Sequence, residues 1–267
     1  MPGIRWFRWL CVRVSAGVLL CGPLYAQAPD YTSAGIVNAS DYSAGPFAPG
    51  SVLSLFGANL AWTTEAITAE NLAAGGLPDE LASVRIFVAG FEPAPLLYVS
   101  PTQINFLVPS DQIPGEVSVT VVRQGVHGPP VTITLIDAAP ALFVMDQGFA
   151  IAQDWNTGYA LMTPGAPAQS GDIAILYATG LGRTSPPWPS GSVAQSASGI
   201  TSFDRFQVLL NDVPIDPRLV LYAGVTPGYC GLYQVNFYLP PGSGTNPQVR
   251  LQVGGQLSSG SIKLAVQ

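Results

Sequence analysis

The chain has 267 residues, 48% of them hydrophobic and only 10% charged, where an ordinary soluble domain carries roughly 25% charged residues. Its 29 glycines and 25 prolines exclude a coiled coil or helical bundle and favour many short strands joined by tight turns. The apolar residues are too plentiful for a disordered chain, and the formal charge of −6 is acidic.

Residues 1–28 read as an export signal. Arg5, Arg8 and Arg13 give a basic start, residues 14–26 give a short apolar core, and Ala26 and Ala28 each offer a small residue for cleavage. The core is too short for the roughly 20 helical residues that span a bilayer. A lipoprotein reading would use Cys21, but Leu20 stands before it where a small residue is needed. The expected product is secreted, to the cell surface, the extracellular space or the periplasm, with no membrane insertion after signal removal. All 16 acidic residues lie at or beyond Asp30, against seven remaining basic ones, so the mature chain carries about −9 with Lys263 its single lysine. Nucleic acid and anionic membrane surfaces need a basic stripe, and both are excluded as partners. Cys11 and Cys21 fall in the signal, which leaves Cys230 alone and forbids an intramolecular disulfide. It reads as a small packed side chain, because no activating cation or histidine lies near it in sequence.

Further along, residues 52–56 and 173–177 are short apolar runs bounded by glycine, as buried strands are. One helix is expected over 64–74, rich in Ala and Glu and stopped by Gly75-Gly76. Val84, Ile86 and Val88 alternate, with 206–210 as their partner run. Ile104, Phe106 and Val108 share one strand face, leaving Gln103 and Asn105 on the other to bond loop backbone or water. Val117, Val119 and Val121 alternate, and Val131, Ile133 and Leu135 follow a turn. A hairpin over 149–162 turns at Asn156-Thr157-Gly158.

The chain also repeats itself. Pro49-Gly50-Ser51-Val52-Leu53-Ser54-Leu55-Phe56-Gly57-Ala58-Asn59-Leu60 aligns with Ser170-Gly171-Asp172-Ile173-Ala174-Ile175-Leu176-Tyr177-Ala178-Thr179-Gly180-Leu181 at an offset of 120 to 121. Gln103-Ile104-Asn105-Phe106-Leu107-Val108-Pro109 aligns with Gln234-Val235-Asn236-Phe237-Tyr238-Leu239-Pro240 at 131. Leu97-Tyr98 matches Leu221-Tyr222, and Val117, Val119 and Val121 are set against Val249, Leu251 and Val253. The surplus of the second copy falls at 225–232. The expected fold is all-β, two tandem immunoglobulin-like β-sandwich domains over 29–138 and 139–267, packed against each other across a short apolar link.

Gly35-Ile36-Val37-Asn38-Ala39, Ala48-Pro49-Gly50-Ser51, the run from Leu97 to Phe106, Leu176-Tyr177-Ala178-Thr179-Gly180-Leu181-Gly182 and Gly231-Leu232-Tyr233-Gln234-Val235-Asn236 resemble the acidobacterial uncharacterised C-terminal domain family over roughly residues 34–266. Each half is also similar, more weakly, to IPT/TIG immunoglobulin-like domains. The first resemblance implies an exported protein with no assigned activity and no catalytic residues. The family's units are usually appended to large exported proteins, whereas here the signal leads directly into the pair.

No catalytic set emerges. His127 is the only histidine and lies in a turn-like stretch, and no Gly-x-Ser-x-Gly elbow occurs. One histidine and one cysteine make a poor zinc site, and no spacing singles out a carboxylate pair. Asp154-Trp155-Asn156-Thr157-Gly158 has the alternating oxygens of a calcium loop but fits a hairpin turn better. No cofactor or metal is expected. Binding remains, with Trp62, Trp155 and Trp188 in polar or Pro-rich contexts, Trp188 expected as the most exposed, and Tyr229 in the 225–232 insertion. The sequence reads as a non-enzymatic protein for cell-surface or extracellular association. Its partner is an envelope or extracellular protein, or alternatively a polysaccharide bound by a carbohydrate-binding module. A hydrolase built on His127 is the third reading.

Overall fold

The computed structural model describes residues 27–90 and 92–267; most of the expected export signal, with Cys11 and Cys21, lies outside the described residues. The described chain is all-β apart from one five-residue α-helix, Ala69–Ala73, and four 3-10 turns. That helix is shorter than the composition of 64–74 suggests. Glu65–Ala66 is taken instead by a sheet edge, where these residues pair with Val99 and Tyr98. Thr68 then starts the helix, its hydroxyl accepting from the Asn71 N–H while the Asn71 carboxamide accepts from the Thr68 N–H.

In the first half, one antiparallel sheet runs in the order Asp30–Asn38, Val52–Ala58, Gln103–Leu107, Leu96–Val99, Glu65–Ala66. It faces a second sheet in which Gly115–Arg123 pairs with Val84–Val88 on one side and with Val126–His127 and Val131–Leu135 on the other. The alternating residues read as inward do meet there. Leu53, Leu55, Ile104 and Phe106 from one sheet pack on Val84, Ile86, Val119 and Val121 from the other. Burying each such side chain stabilises by about 1.5–3 kcal/mol. Asn105, on the opposite face, accepts from the Ser54 hydroxyl and the Gln103 carboxamide, so the two amides bond each other rather than loop backbone.

The second half reproduces this arrangement. Ile173–Thr179 lies between Ala152–Asp154 and Tyr233–Tyr238, and Val220–Val225 continues the sheet. Phe206–Leu210 and Val249–Val253 form the facing layer. A second core of residues between 138 and 266 fills the space. The registers repeat as well: Leu53 lies opposite Phe106 and Leu55 opposite Ile104, as Ala174 does Phe237 and Leu176 does Val235. Both copies break register at the same place, skipping Leu97 in one and Leu221 in the other.

One equivalence differs from the sequence alignment, and another has no counterpart in it. Arg123 and Val253 occupy one position, since each closes the hairpin that follows: Arg123 pairs with Val126 across Gln124-Gly125, and Val253 with Gln256 across Gly254-Gly255. Val119 and Val121 therefore match Val249 and Leu251, two residues from the alignment made on valines alone. A slip of two keeps every side chain on its face, so hydrophobic alternation cannot detect it. The second equivalence went unread. Asn38 lies opposite Leu53 as Asp154 lies opposite Ala174, and both are buried acceptors for the backbone N–H two residues on.

Between the halves sits a third, small apolar cluster of Val52, Leu77, Leu107 and Cys230, with Ala39, Leu97 and Val193 packed on it. The Val52 N–H donates to Thr179 Oγ1 at 3.0 Å, and the Leu77 N–H to the Gly191 carbonyl at 2.7 Å. Gly231 has a φ of +66°, and a Cβ there would stand 2.5 Å from Leu107 Cδ1, so any other residue would strain the backbone and push Leu107 aside. The 225–232 insertion, expected as an outward contact surface, thus turns inward and clasps the first half. Its tip, Pro227-Gly228-Tyr229, stays in solvent, with Tyr229 at 55% exposure.

Candidate binding surface

His127 is exposed on a two-residue strand opposite Val122, with its backbone committed to the sheet rather than to a turn. Among the described residues, no three His, Cys, Asp or Glu side chains gather as a metal site would require. The Asp154 carboxylate is buried and accepts the Asn156 N–H at 2.8 Å, capping the 3-10 turn Trp155–Thr157, which is the work of a hairpin. Burial pushes the Cys230 thiol up from its ordinary value, away from the thiolate that redox or nucleophilic chemistry needs.

Of the four aromatic candidates, Trp188 is placed differently from expectation. It is half-buried on the second core, and its Nε1–H donates to the Ser192 carbonyl at 3.0 Å. The Pro-rich loop folds back because that carbonyl satisfies the one polar atom of an otherwise apolar ring. Trp62 is 51% exposed at one end of the first half. It donates to Gln124 Oε1 at 3.1 Å, and the Arg123 guanidinium carbon lies 3.8 Å from its ring centroid. Arg123 itself is fully buried and donates to the carbonyls of Asn59 and Gln27.

Trp155 and Tyr229 come to one face of the second half. The Trp155 ring stands edge-on to Tyr159, centroids 4.9 Å apart. The Tyr177 phenol is pushed up by burial and further by Tyr229 and Tyr159 in its neighbourhood. Tyr177 donates to Gln153 Oε1, and Gln153 Nε2 donates to the Tyr159 carbonyl at 2.9 Å. Tyr159 is held there by a φ of +65° following Gly158, both left-handed.

Next to this face lies an apolar edge that sequence reasoning missed except for Trp155. Ile173 is half-buried opposite Tyr238, which is 40% exposed, and Leu221, skipped at the register break, is 48% exposed. Trp155 completes it at 50%. The signal was present in the run 173–179: half-buried Ile173 and Tyr177, with buried Ile175 between them, lie on the face away from the core, where a solvated sheet would carry polar residues.

No helix among the described residues is long and apolar enough to cross a membrane. No protein-family model matches the chain, and no curated protein matches it. Among solved structures it is similar to a Bacteroides ovatus surface glycan-binding protein in complex with a mixed-linkage heptasaccharide, at 8% identity and a TM-score of 0.33, covering 82% of this chain and 42% of that one. It is also similar to a surface glycan-binding protein of Prevotella bryantii, at 12% identity and a TM-score of 0.28, covering 89% and 42%. A third likeness is to the tandem immunoglobulin repeats of Dlar, at 11% identity and a TM-score of 0.21, covering 90% and 95%. The chain therefore spans less than half the length of the two glycan-binding proteins.

Proposed function

We propose that this is an exported, non-enzymatic protein of two tandem immunoglobulin-like units, over 29–138 and 139–267, that associates with another protein at the cell surface or outside the cell. The family resemblance belongs to the same proposal. The observation that carries it is the apolar edge of Trp155, Ile173, Leu221 and Tyr238, three of them 40–50% exposed on ordered strands and a capped turn. Large apolar side chains contiguous on a surface mark contact sites, and Trp and Tyr supply most of the energy in such contacts. The net charge beyond residue 28 favours a neutral or basic partner over a polyanion. Purified chain should capture a partner from cell-envelope extract, and Trp155→Ala or Tyr238→Ala should weaken capture by about tenfold or more. Capture that both variants leave intact would place the contact elsewhere.

A second reading rests on Tyr159, Tyr177 and Tyr229 with the Gln153 amide beside them. Rings with a neighbouring amide suit a neutral polysaccharide, stacking on its apolar faces and bonding its hydroxyls. Retardation in gels containing soluble neutral polysaccharides, lost in Tyr229→Ala, supports it; unretarded migration across the panel removes it.

A further inference from the structure

The joint between the halves can be followed residue by residue into the second half. On the first half it comprises Leu77, Ile67 and Leu72 from the connecting segment and, from the repeated sheet, Ala39, Val52, Leu97 and Leu107; the last four are the ones with counterparts. Through the repeated registers these correspond to Trp155, Ile173, Leu221 and Tyr238. Val52 pairs with Leu107 as Ile173 pairs with Tyr238, Leu97 and Leu221 are the residues skipped at the two register breaks, and Ala39 and Trp155 directly follow the equivalent Asn38 and Asp154. The exposed edge of the second half is therefore a second copy of the sheet-borne part of the surface that the first half uses to hold its neighbour.

The complementary end is also present twice. The end of the second half that docks inside the chain carries Gly180, Leu181, Gly182 and Arg183, whose guanidinium lies 3.5 Å from the Gln112 carbonyl oxygen of the first half. The matching residues of the first half are Asn59, Leu60, Ala61 and Trp62. Asn59 and Gly180 share a left-handed backbone, with φ of 56° and 72°, and Leu60 and Leu181 are both buried. Trp62 is thus exposed at the place from which Arg183 reaches across the internal joint.

We propose that the Trp155–Ile173–Leu221–Tyr238 surface of one chain docks the Trp62 end of the first half of a second copy, head to tail. The proposal rests on reading this edge as a protein contact. The sizes of the parts fit it. Inside the chain, small Ala39 and Leu107 receive the long clasp of residues 226–232. At the exposed copy, large Trp155 and Tyr238 meet the short turn Ser100-Pro101-Thr102, which stands where that clasp would be. Bulk has moved from the loop to the sheet edge. A contact of interdomain size, roughly 600–1,500 Å², resembles a transient protein–protein interface.

Sedimentation of the purified exported chain over about two decades of concentration tests this. Wild type should self-associate, and Trp155→Ala and Trp62→Ala should each raise the dissociation constant about tenfold or more. Mixing the two variants should restore a dimer that stops at two chains, because one intact edge then meets one intact end while the remaining edge and end are both altered. Thermal melts check that each variant folds. Tyr238→Ala and Trp62→Phe, which keeps a ring over Arg123, repeat the test with smaller changes. A chain monomeric at every concentration, self-association that no variant moves, or a mixture that stays monomeric overturns the proposal. A monomer that still loses its envelope partner in Trp155→Ala overturns self-docking alone, whereas variants that alter neither self-association nor capture overturn the contact reading with it.

Discussion

Tyr233 shows how much one side chain ties down. It is buried at the joint, its hydroxyl donates to the Gly182 carbonyl at 2.6 Å, and a Cβ on Gly50 would stand 3.0 Å from that hydroxyl. Tyr233→Phe leaves the carbonyl without this donor and should cost about 1–3 kcal/mol in chemical denaturation, with an unchanged denaturant slope. Cys230 sets a pH dependence. Its folded pKa is raised above the ordinary 9.0, so the folded state holds its proton longer than the unfolded chain does. The stability this represents is whole below pH 9 and falls as pH rises beyond it; Cys230→Ala should flatten the first part of that decline in melts taken from neutral to alkaline pH. Arg123 was hidden in the sequence for a definite reason. It occupies the position of Val253, an inward one, and its charge is met by two carbonyls and an indole rather than a carboxylate, so no charge pattern announces it.

Among elements, the strands that carry the repeat were legible because their cores alternate and glycine bounds them. Ile173–Thr179 and Tyr233–Tyr238 pair at the offsets the sequence shows. The opening strand of the second half was legible in part. The hairpin at 149–162 forms, Ala152–Asp154 pairing with Ala160–Leu161 across the turn. Ala141–Leu142 went unseen because residues 143–151 split into two pieces what is one strand in the first half. The clasp was located but its direction was not, since only the packed structure shows that Gly231 meets Leu107. Replacing residues 226–232 by a three-residue turn such as 100–102 should remove Cys230 from the joint and expose Val52 and Leu107. Loss of about 2–5 kcal/mol and new binding of a hydrophobic dye are the expected readings.

For the whole molecule, the buried joint should couple the two cores into one unfolding unit. Calorimetry should show a single transition of roughly 170 kcal/mol at the midpoint, with matching van't Hoff enthalpy. Gly180→Ala should split it, because a Cβ there would stand 2.1 Å from the Ala139 carbonyl oxygen and force the link away from the second half. The exposed apolar edge was the least legible part of the molecule. Trp155 could be chosen from its context, but Ile173, Leu221 and Tyr238 look like ordinary strand residues until register shows which positions hold the internal joint.

The burial of Cys230 also gives the protein a gauge of its own. Beyond residue 28 it is the only thiol, and it sits where the halves meet. When reclosing is faster than the chemistry, the rate at which a thiol reagent labels it reports the equilibrium for parting; when the reagent outruns reclosing, it reports how often parting occurs. Binding at the far edge that tightens the molecule would slow the labelling, and binding that pries it apart would hasten it.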